Sequence, residues 1–153
     1  MLVAQYKFGG QASWAASFAT LMRSAPWIEP ALDEADVVLP MPLSRERLAE
    51  RGFNQALLLA RALAPAKCEP ALLLRLRHTQ AQSELDLKGR LHNVRGAFAV
   101  EPLRHGDLRG KAVALVDDVM TSGASLFSAA QALRQAGAAC VTGLVLARTD
   151  EPH

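Results

Sequence analysis

The sequence has little of what marks a secreted, metal-bound or membrane-spanning protein. Its 153 residues include only two cysteines, Cys68 and Cys140, which have no histidine or carboxylate neighbours at metal-ligand spacing. We therefore expect free, buried thiols in a reducing compartment, and no metal site built from protein side chains. No apolar run reaches the ~18 residues of a membrane span, and the first residues do not resemble a signal peptide. These absences predict a cytoplasmic protein without membrane contact.

Aromatic residues and excess charge are also scarce. Aromatic side chains make up 5% of the chain, and the formal net charge is +2 at pH 7. Binding of single-stranded nucleic acid usually needs a basic track with stacking aromatic rings, and duplex binding needs a dense basic face. Trp14 and Trp27 are expected in the core rather than on a stacking surface. Direct nucleic-acid binding by this chain is therefore not expected.

Two common phosphate-binding motifs are missing. The chain has no Gly-x-x-x-x-Gly-Lys-Ser/Thr, so an ATPase of the P-loop type lacks its phosphate cradle. It also has no Gly-x-Gly-x-x-Gly after its first predicted strand, which disfavours a dinucleotide-dependent oxidoreductase. Any phosphate must be held in another way.

The apolar half of the sequence is arranged as strands that alternate with helices. We predict one domain over residues 1–153, since this length forms a single core. Buried strands are predicted at 36–42, 71–74, 97–100, 112–119 and 141–147. Helices are predicted at 11–23, 44–50 and 54–64, with Ser44 and Asn54 as N-caps of the second and third, and the stretch from Pro26 to Pro30 is expected to break the first. A fourth helix runs from Leu126 onward, with Phe127 in its apolar stripe and Gly137 near its end. This order predicts an α/β fold with a mainly parallel five-stranded sheet flanked by helices, and a ligand at the carboxyl ends of its strands.

The residues best suited to bind a ligand lie in the segment 113–125. An apolar strand ends in the adjacent acids Asp117 and Asp118, which can accept hydrogen bonds from sugar hydroxyls. A turn follows whose hydroxyls, glycine backbone and helix start suit an anion. Its residues are Thr121, Ser122, Gly123, Ala124 and Ser125. One acid or one such turn is ordinary, but together they predict a site for a ribose with a 5′-phosphate. A phospho-receiver site also uses paired acids, but it has no use for the hydroxyl turn.

This segment resembles the phosphoribosyl-pyrophosphate (PRPP) motif of the type I phosphoribosyltransferases. The resemblance implies that Asp117 and Asp118 contact the ribose hydroxyls and that residues 121–125 hold the 5′-phosphate. Three further segments, at 6–10, 40–44 and 51–56, resemble the ComF/GntX family. Its pattern continues through Arg75, Arg77, Thr79, Gln82, Arg90, Asn93 and residues 96–98. Members of that family are tied to natural competence and DNA uptake, and some are described as amidophosphoribosyltransferases.

One feature of the ComF pattern is missing from this sequence. Family members commonly begin with a four-cysteine zinc ribbon, and this chain has no such cysteines. A zinc-linked or DNA-linked role is therefore not carried over to it.

Basic residues are expected to bind the pyrophosphate of PRPP. Arg45, Arg47 and Arg51 follow the first strand, where related enzymes have a pyrophosphate loop, and Arg47 and Arg51 are the residues assigned to it. The alternative is a solvated helix face on which the arginines pair with Glu46 and Glu50. Residues 75–93 correspond to the catalytic lid of type I enzymes, with Arg77, Thr79, Gln82 and Arg90 as its candidates.

The resulting hypothesis is a transferase that binds PRPP with Mg²⁺ and passes phosphoribose to an acceptor that is either an amine or a nucleobase. Mg²⁺ would be held mainly by PRPP oxygens and water, because it dehydrates reluctantly. The alternative is a non-enzymatic module that senses PRPP or a nucleotide, or serves as an adaptor in DNA uptake. A second copy of the chain or a competence protein is the expected macromolecular partner.

Overall fold

The computed structural model describes residues 11–76, 97–120 and 123–148. Its α-helices are α1 (Gln11–Arg23), α2 (Ile28–Glu34), α3 (Arg45–Arg51), α4 (Gln55–Leu63) and α5 (Ala124–Gln135). Its strands are β1 (Val37–Pro40), β2 (Leu73–Arg75), β3 (Phe98–Val100), β4 (Ala112–Met120) and β5 (Cys140–Arg148), and a 3-10 helix covers Pro102–Leu108. Each of the five predicted strands and four predicted helices has a counterpart here.

The central strand of the main sheet is β4. It pairs in parallel with β1 on one side and with β5 on the other, giving the order β1-β4-β5. In the register, Pro40 lies opposite Val116 and Asp117 lies opposite Val145. The last residue of β1 therefore lies beside Val116 of β4, so the loop after β1 begins next to the acids of β4. The Met41 N–H donates to the Val116 carbonyl at 2.8 Å and fixes this arrangement.

Alternate residues of these strands serve two separate cores, as the period of two requires. Val38, Ala114 and Val116 pack under α1, α2 and α4. Their neighbours Leu39, Val113 and Leu115 pack on the opposite face, under α5 and the strands β2 and β3. Burial on both faces explains the continuous apolar run of β4 and confirms the expected α/β layering.

The expected single sheet of five strands is corrected by the pairing of β2 with β3. These two strands form a separate antiparallel pair, with Leu73 opposite Val100 and Arg75 opposite Phe98. Within the described residues, the free side of β1 is taken by residues 67–69: Val38 donates to the Lys67 carbonyl at 2.9 Å, and Glu69 donates to the Val38 carbonyl at 3.0 Å. The pair β2–β3 instead covers the apolar face beneath α5. Strand propensity cannot predict this choice, because short apolar strands fit either place.

Helix ends follow their capping residues. The Ser44 side chain accepts from the Arg47 N–H at 3.2 Å, and the Asn54 side chain accepts from the Ala56 N–H at 3.0 Å, which confirms both predicted caps. Gly52 and Gly137 have φ of 82° and 105° at the ends of α3 and α5. These left-handed conformations favour glycine and end the two helices.

Four details differ from expectation. The helix α2 was not predicted, because Pro30 read as a helix breaker, but Pro30 lies in the first turn, where proline is tolerated. Trp27 and Phe127 are 67% and 65% exposed, although both were expected in the core. Cys140 is an exposed free thiol, whereas Cys68 is half-buried and free. Helical period alone does not show which side of α5 faces the sheet.

None of the helices in the described parts of the chain has the length and apolar character needed to cross a membrane.

Candidate active site at the carboxyl end of the sheet

The acids Asp117 and Asp118 lie in the last part of β4, where both are half-buried. By the alternation of the strand, Asp117 is on the side of α5 and the pair β2–β3, and Asp118 is on the side of α4. The Asp117 Oδ1 accepts from the Asp118 N–H at 2.9 Å. The two residues start from opposite faces of the strand, yet their carboxyl groups lie close enough to share a side-chain hydrogen bond.

The environment of Asp117 favours its neutral form. Burial, followed by the side-chain hydrogen bond with Asp118 and the charge of Asp118, raises the pKa of Asp117 from 3.8 to about 8. The hydrogen bond from the Asp118 N–H and the positive charge of Arg51 act in the opposite direction. Two adjacent acids that lose solvent cannot both ionise cheaply near neutral pH. A proton held by this pair lets it donate as well as accept hydrogen bonds to sugar hydroxyls.

The start of α5 lies just beyond β4. Gly123 is its N-cap with φ of 80° and supplies no capping side chain. An added Cβ would stand 3.5 Å from the Met120 Sδ, an ordinary contact, so the backbone conformation rather than lack of space favours glycine. Ala124 is buried and Ser125 is half-buried in the first turn, and the helix begins two residues earlier than predicted. The positive end of a twelve-residue helix thus points to the end of β4.

The arginines of α3 reach the site from the loop after β1. The Asn54 Nδ2 donates to the Met41 carbonyl at 3.0 Å, which ties this loop to the start of α4. The Arg51 Nη1 donates to the Gln55 Oε1 at 3.2 Å, and its charge acts on Asp117. Arg47 is half-buried, whereas Arg45 is exposed. Among the described residues, no salt bridge joins these arginines to Glu46 or Glu50.

A third arginine, Arg75, was not assigned to the site from sequence. It is the last residue of β2, and its guanidinium lies 5.1 Å from the centroid of the Phe98 ring on the paired strand. Burial, then the charge of Arg47, lowers the pKa of Arg75, while Asp117 opposes the shift. Its place in the ComF pattern was the available signal in the sequence, and its interaction with the charge of Asp117 depends on the β2–β3 pairing.

Several predicted residues lie outside the described chain. These are the lid candidates Arg77, Thr79, Gln82 and Arg90, and two members of the turn, Thr121 and Ser122. Their roles remain predictions. Next to Arg75, the Leu76 N–H donates to the Ala97 carbonyl at 2.7 Å and extends the β2–β3 pairing.

The acid pair fits a Mg²⁺ ion that arrives with its substrate. Within the described residues, no group of three or more His, Cys, Asp or Glu is placed to hold a metal ion. A protein-only cage for Mg²⁺ would need more oxygen ligands than Asp117 and Asp118 provide. One or two carboxylates combined with substrate phosphates and water are the usual set for this ion, so the donors present match that arrangement.

A second concave surface lies at the amino end of the sheet and has a volume of about 440 Å³. Five of its charged residues, Asp36, Lys67, Glu69, Arg104 and Asp107, have partners within the chain. Arg104 forms salt bridges with Glu69 at 3.1 Å and Asp107 at 2.8 Å, and the Lys67 Nζ donates to the Leu32 carbonyl at 2.8 Å. Ligands of α/β sheets bind at the carboxyl ends of the strands, so we place the functional site there and not in this concavity.

Comparison with known proteins shows similarity over most of the chain. Residues 48–153 match the phosphoribosyl transferase domain family. The chain is 32% identical to the DNA utilization protein YhgH of Salmonella typhimurium, over 97% of this chain and 66% of that protein. It is 34% identical to the competence protein ComFC of Bacillus subtilis, over 96% of this chain and 58% of that protein. For competence protein F of Haemophilus influenzae the identity is 35%, over 67% of this chain and 45% of that protein.

Solved structures share the fold at lower sequence similarity. Glutamine PRPP amidotransferase from B. subtilis, complexed with ADP and GMP, superposes with a TM-score of 0.52 at 22% identity, over 86% of this chain and 26% of that one. The allosteric regulatory enzyme of purine biosynthesis gives the same TM-score over 86% and 25%. The chain thus spans between 45% and 66% of the length of these curated relatives. It has the type I phosphoribosyltransferase fold. By the matched domain and these relatives, it belongs to the ComF family of type I phosphoribosyltransferases.

Proposed function

We propose that this chain binds PRPP with Mg²⁺ at the carboxyl end of its sheet and transfers the phosphoribosyl group to a nucleophilic acceptor. The observation that supports it best is the acid pair Asp117 and Asp118, which ends the central strand between an uncapped helix start and a group of arginines. A ribose that carries an anion at each end requires these three elements together.

Each part of the donor has a partner in the proposal. The ribose hydroxyls contact Asp117 and Asp118. The 5′-phosphate binds at the turn and first residues of α5, where Thr121, Ser122 and Ser125 contribute hydroxyls and Gly123 and Ala124 contribute backbone N–H groups. The pyrophosphate faces Arg47 and Arg51, whose planar guanidinium groups suit phosphate oxygens. Bound Mg²⁺ would neutralise charge on the departing pyrophosphate.

The proposed chemistry is a displacement at the anomeric carbon. The bond from that carbon to the pyrophosphate oxygen breaks, and a bond to the acceptor forms. Positive charge develops on the sugar ring, as in other sugar transfers, and the carboxylates on β4 stabilise it. The acceptor loses a proton in this step. Asp117, whose pKa is raised to about 8, takes this proton in the fraction of molecules in which it is ionised, and this fraction grows as the pH rises toward 8. The acceptor is an amine or a nucleobase.

A second function is favoured by the names of the relatives, which refer to competence and DNA utilization. In this alternative the same site senses PRPP or a nucleotide without turnover, and the chain serves as an adaptor to a competence protein or to a second copy of itself. Both versions place the protein in the cytoplasm, where the free thiols of Cys68 and Cys140 stay reduced.

Calorimetric titration of PRPP with Mg²⁺ tests the proposal. The protein is compared with an Asp117→Asn/Asp118→Asn variant and with Asp107→Asn, a matched control from the amino end of the sheet. We expect binding by the wild type and the control, and its loss in the double variant. Release of pyrophosphate in the presence of amines or nucleobases then separates a transferase from a sensor. A folded wild-type protein that does not bind PRPP would sink the transferase and leave only the version that senses a nucleotide.

A further inference from the structure

The helix α3, which carries Arg47 and Arg51, has no side chain buried in the core. None of its seven residues is buried, and Leu48 is 44% exposed. A helix in a folded protein usually takes its position from an apolar face that packs on the core. Because α3 lacks such a face, the residues just before and just after it must determine where its arginines lie.

Two polar side chains are buried among the described residues, and they flank α3. Ser44 is 2% exposed before the helix, and Gln55 is 6% exposed after it. Ser44 caps α3 by accepting from the Arg47 N–H, and the Gln55 Oε1 accepts from the Arg51 Nη1 at 3.2 Å. Burial of a polar group costs free energy unless hydrogen bonds compensate for it. Buried polar side chains at both ends of α3 therefore indicate that polar contacts fix this helix.

Asn54 joins the two ends of the loop that contains α3. Its Nδ2 donates to the Met41 carbonyl at 3.0 Å, thirteen residues earlier in the chain. Its Oδ1 accepts from the Ala56 N–H at 3.0 Å and caps α4 at the same time. The Met41 N–H in turn donates to the Val116 carbonyl of β4 at 2.8 Å, next to Asp117. The loop is thus closed at its base, and the base is attached to the strand that carries the acids.

Capping of α4 does not by itself require an amide at position 54. Serine and aspartate cap helices about as well as asparagine does. Among these residues, asparagine alone has a separate acceptor and a separate donor on one planar side chain. The bond from Asn54 to the Met41 carbonyl therefore depends on the amide, whereas the cap does not.

We propose that Asn54 and Gln55 are positioning residues that hold Arg51 in place for the pyrophosphate of PRPP. Asn54 fixes the base of the loop, and Gln55 orients the guanidinium by accepting from its Nη1. In this role neither side chain contacts the pyrophosphate itself. The inference rests on the proposed function, which assigns the pyrophosphate to Arg47 and Arg51, and it adds two residues that act through α3.

Asn54→Ser separates the bond to Met41 from the cap of α4. Serine keeps a neutral cap, but its hydroxyl is too short to reach the Met41 carbonyl as well. By titration calorimetry, we expect PRPP with Mg²⁺ and inorganic pyrophosphate with Mg²⁺ to bind about 3- to 10-fold more weakly, the value of one hydrogen bond. Affinity for ribose 5-phosphate, which lacks the pyrophosphate, should change less than about twofold. The thermal midpoint should stay close to that of the wild type.

A double-variant cycle tests whether Gln55 acts through Arg51. Gln55→Leu keeps a buried side chain of similar size but removes the acceptor, so it should weaken pyrophosphate binding by about 3- to 10-fold. In an Arg51→Ala background the same change should have almost no effect on that affinity, because the side chain that Gln55 positions is gone. A purely structural role of Gln55 would lower the affinity in both backgrounds. Gln135→Leu, at the exposed end of α5, is the matched control and should bind all three ligands normally.

The outcomes separate this inference from the proposed function. Normal pyrophosphate binding by folded Asn54→Ser and Gln55→Leu variants would overturn the positioning roles and leave the proposed function intact. An equal loss of affinity for ribose 5-phosphate would also overturn them, since these residues would then support the whole site. If Asn54→Ser does not fold, the cycle with Gln55 and Arg51 decides alone. A wild-type protein that binds neither PRPP nor pyrophosphate would overturn both this inference and the proposed transferase.

Discussion

At the amino end of the parallel sheet, Asp36, Glu69 and Asp107 each have a partner within the chain, whereas at the carboxyl end Asp117 lies against a second acid. The Asp36 Oδ2 accepts from the Ala112 N–H at 2.8 Å, and Arg104 bridges Glu69 and Asp107. At the carboxyl end, Asp118 raises the pKa of Asp117 and Arg47 lowers that of Arg75. At the amino end acids pair with an arginine, whereas at the carboxyl end an acid lies beside an acid and an arginine acts on an arginine.

The difference separates charges that serve the fold from charges that serve a ligand. Charge pairs at the amino end satisfy each other, and side chains as exposed as those of Arg104 and Glu69, at 36% and 40%, contribute little to stability. Like charges brought together at the carboxyl end lower the stability of the ligand-free protein. Such an arrangement is the usual cost of a binding site. Substitutions at the two ends should therefore act on different properties.

The largest effect is expected for Asp117→Asn. The amide resembles the neutral carboxyl in shape but cannot ionise, so PRPP binding should fall by about 100-fold or more, as when a charged hydrogen-bonding group is lost. Stability at pH 8.5 should rise at the same time, because the buried charge is removed. Titration calorimetry and urea unfolding measure the two effects. Weaker binding together with lower stability would contradict the comparison.

The pH dependence of stability should differ between the two ends. The folded-state pKa of Asp117, about 8, lies above its unfolded value, so the folded protein binds the extra proton. Its contribution to stability is therefore full below about pH 4 and is lost as the pH rises through about 8. Since each pKa unit is worth about 1.4 kcal/mol, the loss amounts to a few kcal/mol.

Urea unfolding between pH 5 and pH 9 tests this slope. The free energy of unfolding of the wild type should fall across the range more steeply than that of Asp117→Asn. Asp107→Asn, from the amino end, should keep the wild-type slope. Parallel curves for the wild type and Asp117→Asn would show that the acid pair is ionised in the folded protein.

The helix starts and the central strand could be predicted from the sequence, because the residues that indicate them are close together in the chain. Ser44 and Asn54 cap the helices they were predicted to cap, and the run before Asp117 identified the central strand. Features that depend on distant partners were not accessible. Arg75 comes within range of the charge of Asp117 only because β2 pairs with β3. No residue near Arg75 in the sequence indicates this pairing. The exposure of Trp27 likewise depends on how α2 packs, which helical period does not determine.

Gly123→Ala should have an intermediate effect, on the fold and the site together. The φ of 80° costs a residue with a side chain about 1–2 kcal/mol, while the nearest atom, the Met120 Sδ at 3.5 Å, leaves room for a methyl group. Urea unfolding should show this loss, and affinity for ribose 5-phosphate should fall because the start of α5 shifts. Gly143→Ala, where an added Cβ meets nothing within 4 Å, is the control. Equal stability of the two variants would indicate that the turn adapts.

The smallest effect is expected for Arg104→Ala at the amino end. Its partners Glu69 and Asp107 remain solvated when the arginine is removed, so neither carboxylate is left buried without a counter-charge. PRPP affinity should be unchanged, and the thermal midpoint should shift only slightly, with the shift vanishing at high salt because screening already weakens such pairs. The same arginine-to-alanine change at Arg51, which the proposed function assigns to the pyrophosphate, should act mainly on PRPP binding. If Arg104→Ala instead lowered PRPP affinity as much as Arg51→Ala does, the concave surface at the amino end would have to be part of the site, and the division between the two ends would be wrong.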